Sequence, residues 1–408
     1  MVMLYHSHTL PNGLRIVHLP MDSPVSYCGF GINAGTRDES ADEFGLAHFV
    51  EHMLFKGTKH RRAWHILNRM EHVGGELNAY TTKEETFVYS IFMEEHYDRA
   101  FELLTDLVFH SQFPEQEIEK EVDVILDEIN SYEDSPAELI YDEFENLLFA
   151  GHALGHNILG DENSLLRFHS ASGLSFTQRF YVPENMVFFS MGRKDFGKIV
   201  KRVEQALAGI SRPLSGRERH APAPIEPYMK RVKKETHQTH VLIGGRACSM
   251  YDDKRIPLFL LNNILGGPGM NSRLNLSLRE KHGLVYNVES NLTSYTDTGL
   301  THIYFGTDPK NLDKAIRLVH KTLESLRDVK LSPSQLATAK KQVIGQLGVS
   351  GDNKEGLFLG LGKSFLHHNR YDSLSEVFAK IQKLTAEDIQ EIANEIFAPD
   401  HLSCLIYE

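Results

Sequence analysis

The sequence predicts an α+β protein of two homologous domains, each a mostly antiparallel sheet with helices packed on one face. Three observations carry this expectation. The chain is 408 residues long, enough for more than one buried core. A proline-rich break falls near its middle. The same order of strand-like and helix-like segments runs on either side of that break.

The break is the stretch 211–228, which holds Pro213, Pro222, Pro224 and Pro227 with Gly216 and has no hydrophobic period. It divides the chain into an expected first domain at 1–210, a linker at 211–228 and a second domain at 229–408. Each half opens on a strand-like run, Ser26 to Ile32 and Thr239 to Arg246. An apolar helix follows, Phe44 to Phe55 against Pro257 to Leu265, and then a second, Trp64 to His72 against Ser272 to Lys281. Alternating strands come next, Glu76 to Phe92 against Val285 to Gly306. Pro114 and Pro333 each open a long helix, where proline fits the first turn. Tyr181-Val182-Pro183 and Phe397-Ala398-Pro399 each lead into a closing apolar strand. The offset between paired positions stays near 210 to 218 residues, the mark of an internal duplication.

Composition excludes several classes. The formal net charge is -12, with His counted neutral, so the surface should repel nucleic acid rather than bind it. No apolar run approaches the roughly 18 residues of a membrane span. The first residues carry neither a secretory nor a transit signature, so a cytoplasmic protein with no membrane partner is expected. Cys28, Cys248 and Cys404 are far apart and odd in number, which suits reduced core thiols and neither a disulfide framework nor a thiolate metal site.

Chemistry enters at His48-Phe49-Val50-Glu51-His52. Residues four apart share a helix face, so both imidazoles can reach one metal ion. Glu51 flanks that face without having to ligate. A catalytic zinc site takes three protein ligands and leaves one position open, and a nearby carboxylate can then serve as general base. The order H-x-x-E-H is that of the inverted zincins. The third ligand should come from the acidic helix after Pro114, which offers Glu117, Glu119, Glu121, Asp123, Asp127 and Glu128. Glu121 and Glu128, seven apart, share a face, and Val122, Val124, Ile125 and Leu126 should pack that helix into the core. By itself the pentapeptide does not set a site apart in a chain with 22 histidines.

The run from Gly45 to Thr58 around that pentapeptide resembles the signature of the pitrilysin/insulinase family of metallopeptidases. Asn12-Gly13-Leu14-Arg15, Gly74-Gly75-Glu76-Leu77-Asn78-Ala79-Tyr80-Thr81 and Tyr181 to Met186 resemble further family segments. Together they extend the resemblance over essentially the whole chain, nearest to the short two-domain bacterial members related to mitochondrial processing peptidase. The resemblance implies a zinc metalloendopeptidase with one Zn2+ per chain, held by His48, His52 and Glu128. In it Glu51 is the general base on the zinc-bound water, and Glu121 stands near the metal. It implies that substrate adds as a β-strand along Asn78, Ala79, Tyr80 and Thr81. It also assigns Arg279 and Tyr286, in the second half, to substrate backbone and oxyanion contacts.

Aligning the halves places Phe259, Asn262, Asn263 and Gln346 opposite His48, Glu51, His52 and Glu128, so the second half should bind no metal. Longer family members close four such domains around a chamber. A two-domain chain would therefore work on peptides or unfolded segments as a homodimer, with Arg279 and Tyr286 acting on the partner's zinc. Two other readings stand beside this one: a non-catalytic scaffold or binding subunit of the same fold, and the catalytic subunit of a heterodimer.

Overall fold

The computed structural model describes residues 5–234 and 236–408. The first sheet holds β1 (His6–Thr9), β2 (Arg15–Pro20), β3 (Val25–Ile32), β4 (Glu76–Thr81), β5 (Thr86–Met93) and β6 (Met186–Gly192), in the order β1-β2-β6-β3-β5-β4. The second holds β7 (Met229–Val232), β8 (Thr239–Ala247), β9 (Val285–Ser294), β10 (Gly299–Thr307) and β11 (Ser403–Tyr407), in the order β7-β11-β8-β10-β9. Beyond the extra β1, the two orders coincide strand for strand. Each has one parallel pair at the same place, β2 with β6 and β7 with β11, and every other pairing is antiparallel. The duplication read from the sequence is thus repeated in topology.

Helices cover one face of the first sheet as expected. Their apolar stripes meet Cys28, Phe30 and Ile32 of β3 and Phe188 of β6 in one buried cluster. The layer includes α1 (Leu46–Leu54), α2 (Ala63–Glu71), α3 (Tyr97–His110) and α4 (Glu115–Glu133). On α4 the buried positions are Ile118, Glu121, Val122 and Ile125, a stripe at three- and four-residue steps. Val124, expected in the core, is exposed, because two residues from Val122 it points away from that stripe.

The opposite face carries something the one-face expectation lacks. Tyr27, Phe87, Val187, Phe189 and Met191 alternate with the residues above and are equally buried, because helix Lys354–His368 lies over them with Phe358, Leu361, Phe365 and Leu366. Phe189 stacks on Phe358 with ring centroids 4.4 Å apart. A Cβ at Gly362 would come within 2.7 Å of the Phe189 ring, so only glycine lets the helix sit this close. The second sheet is treated alike. Helix α5 (Pro136–Leu148) packs Ile140, Phe144 and Leu148 against Leu242, Leu300, Leu405 and Tyr407.

Each half of the sequence therefore lends one helix to the other's sheet. One compact unit comprises 1–130, 156–219 and 351–373, and the other comprises 131–155, 220–350 and 374–408. The 219/220 crossing falls inside the expected linker, but the division 1–210/229–408 omits both exchanged segments. The expected helix at Ser272 to Lys281 differs as well. From Asn275 to Glu280 it is wound as a π-helix, with the Lys281 amide reaching back to the Leu276 carbonyl at 3.1 Å. Among the described residues no helix is long and apolar enough to cross a membrane.

Candidate metal centre and peptide-binding edge

The site begins with α1. Its apolar residues Leu46, Ala47, Phe49, Val50, Met53 and Leu54 are buried, which turns His48, Glu51 and His52 toward α4 and β4. The helix starts at Gly45, whose φ of +91° suits glycine, and a Cβ there would meet the Leu159 carbonyl at 2.7 Å. No side chain at that position could cap the first turn, and a distant carboxylate does it instead. Glu39 accepts from the Gly45 amide at 3.0 Å and the Ala47 amide at 2.7 Å, and pairs with His156 Nε2 at 3.0 Å. The Phe44 ring stacks on His156 at 4.1 Å. Burial pushes the Glu39 carboxyl well above its ordinary range and lowers His156 to about 4.

On α4, Glu128 brings one carboxylate oxygen within 3.8 Å of His48 Nε2 and 3.6 Å of His52 Nε2. These three atoms form one of two clusters of potential metal ligands among the described residues. Two ligands about 2.0–2.1 Å from a tetrahedral ion stand about 3.4 Å apart, so the cluster needs only a small contraction to hold zinc. The second carboxylate of α4 sets the tautomer. Glu121 lies 2.8 Å from His52 Nδ1; a proton on that nitrogen donates to the carboxylate and leaves the Nε2 lone pair facing Glu128. Lys56 closes the chain, its Nζ 2.5 Å from the other oxygen of Glu121. Burial alone would raise the Glu121 carboxyl, but the hydrogen bonds from His52 and Lys56 outweigh it and hold the group below its usual range. His48 is lowered to about 3 by burial and by His52, which keeps the imidazole neutral as a metal requires. Replacing Glu121 by Ala should weaken zinc binding about 10–100-fold while Gln, which still accepts from His52, should weaken it less. Equilibrium dialysis would measure this, and equal affinities for all three chains would contradict the role given to Glu121.

Glu51 is hydrogen-bonded by Thr81 and sits beside His52 and Glu128. Burial raises its carboxyl above the ordinary value, although Thr81 and His52 pull the other way. Thr81 ends β4, which pairs only with β5 and forms the edge of its sheet. Asn78, Ala79, Tyr80 and Thr81 therefore lie on an edge whose outer backbone groups no described strand takes up. Tyr80 is fixed by stacking on Phe87 at 5.2 Å. The tip of the β4–β5 hairpin is anchored by three buried charges. Lys83 donates to the His156 carbonyl, Glu84 accepts from Arg37, and Glu85 pairs with Lys363 and His367.

Arg279 and Tyr286 lie in the other unit. Arg279 sits in the π-helix with its guanidinium 5.6 Å from the Tyr286 ring centre, and Tyr286, at the start of the edge strand β9, is 84% exposed. The positions aligned with the metal ligands hold a neutral copy of the site. Asn263 donates to Gln346 at 2.7 Å where His52 faces Glu128. Asn262 bonds the Ser290 backbone and hydroxyl on β9, just as Glu51 bonds Thr81 on β4. Amides that satisfy each other offer no anionic ligand. Glu39, Lys56 and His156 are parts of the first site that the sequence reading missed.

Known proteins resemble this chain over nearly its whole length. Residues 17–162 match the family described as Insulinase (Peptidase family M16), and residues 172–343 match its Peptidase M16 inactive domain. The chain is 32% identical over 401 residues to the uncharacterized zinc protease YmxG of Bacillus subtilis, covering 98% of this chain and 97% of that one. It is also 32% identical to the uncharacterized zinc protease Rv2782c of Mycobacterium tuberculosis, covering 96% and 90% respectively. In fold it is similar to a peptidase M16 inactive domain from Pseudomonas fluorescens, with a TM-score of 0.92 at 19% identity over 99% of this chain and 97% of that one. A protease from Helicobacter pylori gives a TM-score of 0.91 at 21% identity, with both chains covered in full. Two domains of one fold, one with an H-x-x-E-H helix facing a glutamate helix and one with its polar remnant, define an inverted zincin. The chain belongs to the insulinase family of peptidases, M16.

Proposed function

We propose that this protein is a zinc metalloendopeptidase that holds one Zn2+ per chain on His48, His52 and Glu128. The observation that carries the reading is the convergence of those three ligand atoms, with Glu51 beside them at the end of an open sheet edge. The names of the relatives as zinc proteases support the choice of metal. Zinc, when bound, supplies a Lewis acid and lowers the pKa of a water it holds to about 7. Glu51 takes the proton of the attacking water and returns it to the leaving amine. Substrate adds as a strand along Asn78 to Thr81, so that backbone pairing gives affinity with little sequence preference. Peptides and unfolded segments meet that requirement, and stable folded proteins do not.

Arg279 and Tyr286 complete the site in trans, from the second chain of a homodimer. Their mutual stacking and the exposure of Tyr286 support this, since Tyr286 is left to meet something outside its own unit. Cleavage of a fluorogenic peptide tests both parts. The parent chain should cleave it and lose activity with a chelator; no zinc and no chelator-sensitive cleavage would instead favour a scaffold subunit. Glu51→Gln chains mixed with equal amounts of Tyr286→Phe chains should regain up to about a quarter of the parent rate, because half of randomly formed dimers carry one intact site. A mixture no more active than the sum of its separate components would rule out the in-trans arrangement.

A further inference from the structure

A second set of ligand atoms lies away from the first. His60 comes from the segment between α1 and α2, and Asp106 and His110 sit one turn apart near the end of α3. Their ligand atoms all lie within 4.8 Å of one another. His60 Nδ1 is 2.6 Å and His110 Nδ1 3.4 Å from the same Asp106 oxygen, and the two rings are 4.9 Å apart. One carboxylate oxygen thus faces two imidazole nitrogens. His60 takes the hydrogen bond, and His110 Nδ1 is left buried with no hydrogen-bond partner among the described residues. A buried ring nitrogen aimed at a carboxylate that another group already uses is costly unless something joins all three.

We propose that His60, Asp106 and His110 form a second cation site, one that takes a borderline first-row divalent ion such as Zn2+. Two imidazoles with one carboxylate suit zinc and its neighbours and are a poor set for magnesium or calcium, which prefer oxygen alone. The carboxylate is already fixed for the purpose. One oxygen accepts from Arg61 at 2.6 Å and from Thr58 at 2.7 Å, which turns the other toward the two histidines. Arg61 is in turn held by both oxygens of Glu102, at 2.6 and 2.7 Å, which meets its charge on the far side. The frame is preformed as well, since the Lys59 amide bonds the His110 carbonyl at 2.8 Å. The His60 side chain is 52% exposed, which leaves a path for the ion and an outer position for water. The ion replaces a single hydrogen bond with three ligands and ties the segment leaving α1 to the end of α3.

The site goes beyond the proposed peptidase and uses none of its residues, so the two can fail separately. Metal content after equilibrium dialysis against excess Zn2+ should be two ions per parent chain and one for a His60→Ala/His110→Ala chain. A His48→Ala/His52→Ala chain should still bind one, with loss of that one when the two pairs of substitutions are combined. Co2+ in place of zinc should give a visible absorption band in the His48→Ala/His52→Ala chain that vanishes with His60 and His110. Should that chain fold poorly, the difference between the parent and the His60→Ala/His110→Ala chain decides alone. A parent chain and a His60→Ala/His110→Ala chain that bind the same number of ions overturn the proposal.

Discussion

A Glu51→Gln chain is expected to bind zinc as the parent does and to cleave peptides about 10²–10⁴-fold more slowly, the usual worth of a positioned general base. The amide is the same size and still bonds Thr81, so α1 and β4 keep their places. It cannot accept a proton. His48, His52 and Glu128 are untouched, so the loss should fall on kcat with KM nearly unchanged. Burial of Glu51 in the parent sharpens the contrast, because it raises the carboxyl toward the pH at which a base works best. Zinc content and steady-state kinetics on one preparation suffice. Cleavage within about tenfold of the parent would mean that another group is the base.

The second large effect should come from Glu39, which touches neither metal nor substrate. Replacing it by Ala removes the acceptor for two amides at the start of the helix that carries His48 and His52 and strands His156 in a buried site. Buried donors left unpaired cost about 1–3 kcal/mol each, so the loss should be about 3–5 kcal/mol. That is a fall in Tm of about 10 °C for a unit of this size. Gln keeps one acceptor and should lose about half as much. Zinc affinity should fall with stability, since His48 and His52 ride on the helix that Glu39 pins. A Glu39→Ala chain that melts within about 1–2 °C of the parent would show that Gly45 and Ala47 find other acceptors.

Sequence order and side-chain spacing made much of this legible, and their limits are physical. His48, Glu51 and His52 could be read because helical spacing alone puts them on one face. Glu128 could not be chosen over its acidic neighbours by spacing. It took the family resemblance, and the structure then set its carboxylate against both histidines. The edge at Asn78 to Thr81 likewise came from the family resemblance, because spacing does not say which strand ends a sheet; in the structure β4 pairs with β5 alone among the described strands. Glu39 left no trace, because its partners are two backbone amides and a histidine 117 residues away, and backbone groups have no sequence. The exchanged helices were hidden for another reason. Ile140, Phe144 and Leu148 declare an apolar stripe but not which sheet it covers. The run Met186-Val187-Phe188-Phe189 was the available clue, since a strand apolar on both faces needs cover on both. The π-winding around Arg279 likewise has no signature in residue type.

The exchange of helices also sets an order of events on the ribosome. The last strand of the first sheet ends at Gly192, yet the helix that covers its second face belongs to 351–373. At about 5–20 residues per second, roughly 8–36 s of synthesis separate the two. Through that interval Tyr27, Phe87 and Phe189 form a finished but uncovered apolar surface on a nascent chain. A half-made protein of this design is a natural client for a chaperone, and a truncated one has no means of hiding that face.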